Sequence, residues 1–169
     1  MALIVEDGTG LSTADSFISV ADSDSYHAKF GNADWMNADA IEKEVHLRRG
    51  MRWLVTRFDG RWRGTKVKES QALPFPRYGV YDADGNWISS STVPTALPEA
   101  QAEMALRSLL GEDLNPDLDG GAIKREKVET GPVVEEIEYL GAKRELKSFT
   151  LVEAMLRQFL KPVGRLSRS

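Results

Sequence analysis

The sequence predicts a mainly α-helical protein of the α+β class, in which a bundle of about four helices carries small β-hairpins and an extended C-terminal helix or arm. Three observations predict it. Apolar residues recur every three or four positions in long segments, capping residues and glycines stand at the ends of those segments, and the long connectors contain turn signals. With 169 residues, of which 41% are hydrophobic, the chain is long enough to bury one core.

The first helix is predicted over residues 20–31. Ser19 stands where a hydroxyl can accept hydrogen bonds from the open N–H groups of the first turn. Gly31 supplies the left-handed conformation that commonly ends a helix. Before this helix, residues 2–5 and 17–20 are predicted to be short extended pieces of an arm or edge element, outside the core.

The second helix is predicted over residues 37–58, with Asn37 as its cap and Gly60 as its stop. Its apolar stripe recurs at intervals of 4, 3 and 4 residues and is widened on one side by further apolar residues. The stripe consists of Leu47, Met51, Leu54 and Phe58, and the widening residues are Ile41, Val45 and Val55.

The third helix is predicted from Thr95 to Gly111, with Pro98 in its first turn, where a missing N–H does little harm. Because it has almost no polar face, we expect it to be central or packed between subunits. A fourth helix is predicted over residues 148–160 and has one broad apolar face. The chain therefore divides into a helical core with an N-terminal arm and hairpin loops, residues 1–147, and a C-terminal helix with a basic tail, residues 148–169.

Two hairpins are predicted in the long connectors. Asp84 and Gly85 lie between the apolar pairs 80–81 and 87–88, and such a dipeptide favours the primed turns of hairpins. Residues 82–86 superficially resemble a calcium loop, but the glycine and the final carboxylate stand at the wrong positions, so a plain turn is favoured. A second hairpin is predicted from residues 123–128 and 133–139, flanking 130–132.

Composition and motifs exclude several functions. The chain has no cysteine, which rules out disulfides and thiolate sites, and it has no apolar run of the roughly 18 residues that a membrane span requires. It also contains no P-loop, dinucleotide fingerprint or serine elbow, and we expect no signal peptide, because the first residues lack a basic start and a long apolar stretch. His27 and His46 are predicted at the surface or its boundary. We therefore expect no catalytic residue, no metal, no cofactor and no membrane partner.

The formal net charge of -4 hides four blocks of alternating sign. Residues 1–44 carry -7, residues 45–77 carry +7, residues 78–140 carry -9 and residues 141–169 carry +5. One interpretation is a solvated surface with ion pairs inside one chain. The other is that opposite blocks face each other between neighbouring copies, which favours a defined register.

Two sets of residues are candidates for binding. Arginines interleaved with aromatics are typical of single-strand binding, where cations follow the phosphates and flat rings stack on bases. The nucleic-acid candidates are Arg57, Arg61, Trp62, Arg63 and Lys66. The amphipathic C-terminal helix and its basic tail form an arm that could become ordered against a partner protein. The docking candidates are Leu156, Arg157, Phe159, Lys161, Arg165 and Arg168.

Several separated segments also carry a family resemblance. They are residues 2–11, 14–20, 63–66, 71–77 with 79–82, 93–94 and 123–128. In this order they resemble the DnaT-like single-stranded DNA-binding proteins of tailed bacteriophages and prophages, and the resemblance covers nearly the whole chain. Proteins of this family are similar to head-tail adaptors, also called head completion or connector proteins.

The resemblance implies a structural role in the neck of the virion, for a protein made in the host cytoplasm. A mostly helical subunit would form a ring, twelve-fold to match the portal, and join the portal to a tail-side neck or tail terminator protein. DNA would pass through the lumen during genome ejection without sequence-specific contact. The docking arm would be residues 149–169. The alternative is a DnaT-like single-stranded DNA-binding protein that acts in replication.

Overall fold

The computed structural model describes residues 2–116, 126–130, 133–137 and 148–162. It confirms the predicted fold class, because the described residues are mainly helical with small antiparallel sheets. The elements in chain order are α1 (Val20–Phe30), α2 (Ala33–Asn37), α3 (Ala40–Arg57), β1 (Thr65–Lys66), β2 (Arg77–Tyr78), α4 (Ala96–Leu109), β3 (Glu126–Thr130), β4 (Val133–Ile137) and α5 (Thr150–Leu156), followed by a 3-10 turn over Arg157–Phe159. None of the helices described is long and apolar enough to cross a membrane.

The chain divides into two compact units. The larger unit contains residues up to Leu114 and from Phe149 onward, so α5 belongs with the N-terminal helices. The smaller unit, residues 115–148, contains β3 and β4 as an antiparallel pair with Glu126 opposite Ile137. The second hairpin is thus confirmed. Its first strand extends to Thr130, which was predicted in the turn, and residues 123–125, 131, 132, 138 and 139 of that prediction lie outside the described residues.

Helix α1 has the predicted caps. The Ser19 hydroxyl accepts a hydrogen bond from the backbone N–H of Asp22 at 3.0 Å. Gly31 takes a φ of 68° and donates its N–H to the carbonyl of Ala28, which closes the last turn. The start and the end of this helix were therefore fixed by local residue choice.

The long second helix begins later than predicted. Asn37 is the last residue of the short helix α2, and Asp39 caps α3 by accepting the N–H of Glu42 at 2.8 Å. The predicted stripe is buried, but Ile41 is 77% exposed and Val45 is also exposed. The prediction that these two widen the buried stripe was wrong, because α3 turns this side of its first two turns away from the core.

Helix α4 lies at the centre of the larger unit, as predicted, and contacts α1, α2, α3 and α5. Its closest neighbour is α3, which approaches through Gly50. A Cβ at Gly50 would lie 2.9 Å from the carbonyl oxygen of Gln101 and 3.0 Å from the nitrogen of Ala105. The absence of a side chain at Gly50 therefore allows the two helix backbones to pack together.

The N-terminal segment is part of the core, which corrects the prediction of an arm or edge element. Val5 and Ser16 form a parallel bridge, and Phe17 is buried. The amide of Gln101 reaches this segment from α4. Its oxygen accepts the N–H of Phe17 at 2.7 Å, and its nitrogen donates to the Ser16 hydroxyl at 2.7 Å and to the Leu47 carbonyl at 3.0 Å.

Candidate nucleic-acid interface

The C-terminal basic block meets the central basic block along a short backbone pairing. Trp62 and Leu160 form an antiparallel bridge. The N–H of Arg63 donates to the Phe159 carbonyl at 2.9 Å, and the N–H of Lys161 donates to the Arg61 carbonyl at 2.7 Å. Two segments about a hundred positions apart in sequence are thereby held side by side with their cations together.

These segments border a groove of about 710 Å³. Its lining residues come from the turn after α3, from α5 and from the segment after α5. They are Phe58, Arg61, Arg63, Thr150, Glu153, Ala154, Arg157, Leu160, Lys161 and Pro162. We call this the basic groove, because four of these residues are cations and, among the described residues, Glu153 is the one acid that lines it.

The Glu153 carboxylate is already paired. The Arg57 guanidinium donates to it at 2.8 Å, so this acid adds little negative potential to the groove. Arg61 lies over the Phe58 ring, with its guanidinium carbon 5.6 Å from the ring centroid. Arg63 is exposed, and its Nε donates to the Leu160 carbonyl at 3.0 Å, which holds the side chain across the pairing. The groove therefore keeps a net positive charge with partly fixed cations.

A second cavity, of about 470 Å³, adjoins the basic groove. Arg63, Ala154 and Arg157 line both, and the second is also lined by Asp82, Ala83 and Gln158. Asp82 accepts hydrogen bonds from the Asn86 side chain and from the N–H groups of Asn86 and Asp84, which lowers the pKa of its carboxyl. The first predicted hairpin is thus a turn that lies beside the groove, and its carboxylate is engaged by the turn itself.

The five predicted nucleic-acid residues divide between the surface and the core, and Arg57, which is half-buried, is paired with Glu153. Arg61 and Arg63 line the basic groove, while Lys66 is exposed and donates to the Gln71 carbonyl at 3.0 Å. Trp62 is only 5% exposed, so the prediction that its ring stacks on bases was wrong. Its ring makes edge contacts with Phe58 and Phe75, each with centroids 5.6 Å apart, and these contacts belong to the core.

The predicted docking residues divide in the same way. Arg157 and Lys161 are exposed in the groove. Leu156 and Phe159 are buried in the core, where Phe159 contacts the Phe75 ring, so their side chains face away from any partner. These two apolar residues hold α5 and the 3-10 turn on the protein. Arg165 and Arg168 lie outside the described residues.

Some residues that build the site were not predicted. The Arg77 guanidinium donates to the carbonyls of Arg63 at 2.6 Å, Gly64 at 2.7 Å and Pro74 at 3.0 Å. Arg77 therefore fixes the loop that carries Arg63 and is not itself free to meet phosphate. The only sequence signal for this role was its position at the end of the central basic block.

The histidines are buried, which corrects the prediction of surface or boundary positions. His27 packs on the Trp35 ring and hydrogen bonds with Asn32, and His46 bonds with the Ser108 hydroxyl at 2.8 Å. Burial lowers the pKa of both imidazoles. In the part of the chain that the structure describes, no group of three metal-ligating side chains comes together.

The arrangement is suited to holding an extended anion. Phosphate oxygens carry spread negative charge, and guanidinium groups match them with paired donors. The groove offers such donors from three arginines, together with one ammonium group.

Comparison with known proteins supports one assignment. Searches of curated proteins and of solved structures returned no match. One family model matches residues 1–168, nearly the entire chain. The chain therefore belongs to the family described as "Putative DnaT-like ssDNA binding protein".

Proposed function

We propose that this protein binds single-stranded DNA without sequence preference, through the phosphates, in the basic groove. The observation that carries the proposal is the meeting of the two basic blocks at one groove, with Arg61, Arg63, Arg157 and Lys161 around it. The description of the family supports the same function. We further propose that the protein acts by binding and has no enzymatic activity.

The overall negative charge does not oppose this function. The whole chain carries -4, but binding depends on the local electrostatic potential, and four cations around one groove concentrate positive potential there. Glu153 is neutralised by Arg57, so the acid in the groove does not cancel the cations. We therefore expect salt-sensitive binding of moderate strength, confined to one surface.

Reversing two groove charges should greatly weaken binding. In Arg63→Glu/Arg157→Glu, two exposed cations that line both cavities become anions. We expect the affinity for an oligo-dT strand to fall at least about tenfold. We also expect the slope of log affinity against log salt to become shallower by about 1.4, since each single-strand phosphate contact contributes about 0.7. Fluorescence anisotropy at several salt concentrations measures both quantities.

The matched control is Arg49→Glu/Arg52→Glu. It makes the same change in net charge at two exposed arginines of α3 that do not line the groove. Equal weakening by the two double variants would mean that net charge matters and the groove does not. Unchanged binding by Arg63→Glu/Arg157→Glu, with unchanged thermal unfolding, would refute the proposed site.

A second candidate function is the head-tail adaptor of a tailed bacteriophage. The observation that favours it is apolar exposure near the start of α3, where Ile41 and Val45 stand one turn apart, and Met36 of α2 is also exposed. Exposed apolar surface of this kind marks contacts with other proteins. In this proposal the chain forms a twelve-fold ring in the virion neck between the portal and a tail-side neck or tail terminator protein, and DNA passes through its lumen.

The adaptor candidate makes a separate prediction for Ile41. Ile41→Lys should leave the fold intact, because the side chain is exposed, but it should reduce ring assembly on isolated portal at least about tenfold by placing a charge in an apolar contact. Negative-stain microscopy counts the rings. Arg61→Glu/Arg63→Glu serves as the crossed control, since both residues line the groove and neither belongs to the docking arm, so this variant should weaken DNA binding and spare the rings. Normal ring assembly by Ile41→Lys would argue against this contact.

A further inference from the structure

Two exposed aromatic rings stand on the hairpin beside the groove. Tyr81 and Trp87 are bridge partners across the hairpin, and they are 51% and 60% exposed. The N–H of Ile88 donates to the Val80 carbonyl and the N–H of Asp82 donates to the Asn86 carbonyl, each at 3.0 Å. This pattern makes Tyr81 and Trp87 a non-hydrogen-bonded pair. In such a pair the two side chains lie on the same face and are closer to each other than in a hydrogen-bonded pair.

The hairpin is held in a fixed position. Val80 is buried in the core, and because side chains alternate along an extended strand, its burial turns Tyr81 outward. The N–H of Ala83 donates to the Gln158 side chain of the 3-10 turn at 3.0 Å. This bond joins the hairpin turn to the segment that carries Arg157, and it fixes the aromatic pair on a hairpin whose turn residues Asp82 and Ala83 line the second cavity.

The exposure of this pair has no explanation in the fold. The other three tryptophans, Trp35, Trp53 and Trp62, are buried and make ring contacts in the interior. Trp87 is therefore the one tryptophan at the surface. An exposed tryptophan on a hairpin whose turn lines a cavity with Arg63 and Arg157 offers the combination with which single-strand binders hold bases and phosphates at once.

We propose that Tyr81 and Trp87 form a stacking platform for the bases of a single strand whose phosphates lie in the basic groove. This inference rests on the proposed function and adds to it the groups that contact the bases. Because every base has a flat face, the platform would bind bases without reading the sequence. The platform would also favour single-stranded over double-stranded DNA, because the bases of a duplex are stacked on one another and cannot reach the rings.

The test compares a dT oligonucleotide with an abasic strand of the same length, which keeps the sugars and phosphates. We expect the native protein to bind the dT strand about tenfold more tightly than the abasic strand, from the usual gain of stacking one or two bases on exposed rings. Tyr81→Leu/Trp87→Leu should bind both strands equally, at the affinity of the abasic strand. Phe30→Leu, which removes a ring that is 64% exposed on α1, should behave as the native protein does.

Fluorescence gives an independent reading. Binding of dT should quench the tryptophan emission of the native protein, and Trp87→Leu should still bind through the groove without that quenching. If Tyr81→Leu/Trp87→Leu kept the preference for dT, the platform would be refuted while the groove remained supported. If the native protein bound neither strand, both the proposed function and the platform would be refuted.

Discussion

Gln101→Leu should lower the free energy of unfolding by about 3 kcal/mol and the midpoint of thermal unfolding by roughly 10 °C. The side chain is fully buried, and its amide joins α4 to the N-terminal segment and to α3 through three hydrogen bonds. Leucine fills a similar volume but leaves the buried N–H of Phe17 without an acceptor. An unpaired buried donor costs about 1–3 kcal/mol, and the two lost donations add to it.

The control is Gln158→Leu, which removes a glutamine that makes one exposed hydrogen bond, to Ala83. We expect a change below about 0.5 kcal/mol for this variant, as for most surface substitutions. Chemical denaturation followed by circular dichroism measures both. A loss at Gln101 no greater than that at Gln158 would show that the buried amide is not what joins the N-terminal segment to the helices.

Gly50→Val should be at least as damaging, with an expected loss of about 3 kcal/mol or more. A Cβ at this position would already meet the Gln101 carbonyl at 2.9 Å and the Ala105 nitrogen at 3.0 Å, and both atoms belong to the α4 backbone. A backbone cannot turn aside as a flexible side chain can, so α3 and α4 must separate. Overpacking of this kind typically costs about 1–3 kcal/mol, and the valine methyl groups add to the clash.

Two further variants separate the clash from helix propensity. In an exposed helix, Gly→Ala is stabilising by roughly 0.5–1 kcal/mol, so destabilisation by Gly50→Ala would come from the contact with α4. Arg49→Val places valine at the neighbouring exposed position of α3, where only propensity acts. The midpoint of thermal unfolding should be lowest for Gly50→Val, higher for Gly50→Ala and highest for Arg49→Val. A stabilised Gly50→Ala would mean that the helices pack less closely than described.

Helix ends were predictable where the signal is local. Ser19 and Gly31 lie at the two ends of α1 as predicted, and α4 begins directly after Thr95. A cap pairs with N–H or carbonyl groups within four residues, so the residues next to it in sequence are enough to predict it. The start of α3 was missed by this reasoning because Asn37 and Asp39 are both good caps, and the short helix α2 uses the residues between Asn32 and Ala38.

The candidate site was only partly predictable. Arginine and lysine are exposed in nearly every fold, so Arg63, Arg157 and Lys161 could be proposed for binding from residue type alone. Trp62 could not be placed, because a tryptophan next to arginines occurs equally in a stacking surface and in a core. In the fold, the Trp62 ring packs between the rings of Phe58 and Phe75, and these contacts make it a core residue.

The chain alone was enough to predict the mainly helical class, most of the buried stripe of α3, the central position of α4 and the four blocks of charge. These follow from spacing and composition within short windows, which act before any tertiary contact forms. Folding decided that the central and C-terminal basic blocks lie side by side, through the pairing of Trp62 with Leu160. It also decided that Leu156 and Phe159 face inward while Tyr81 and Trp87 face outward. Burial depends on which distant segment packs over a side chain, and neighbouring residues do not specify that segment.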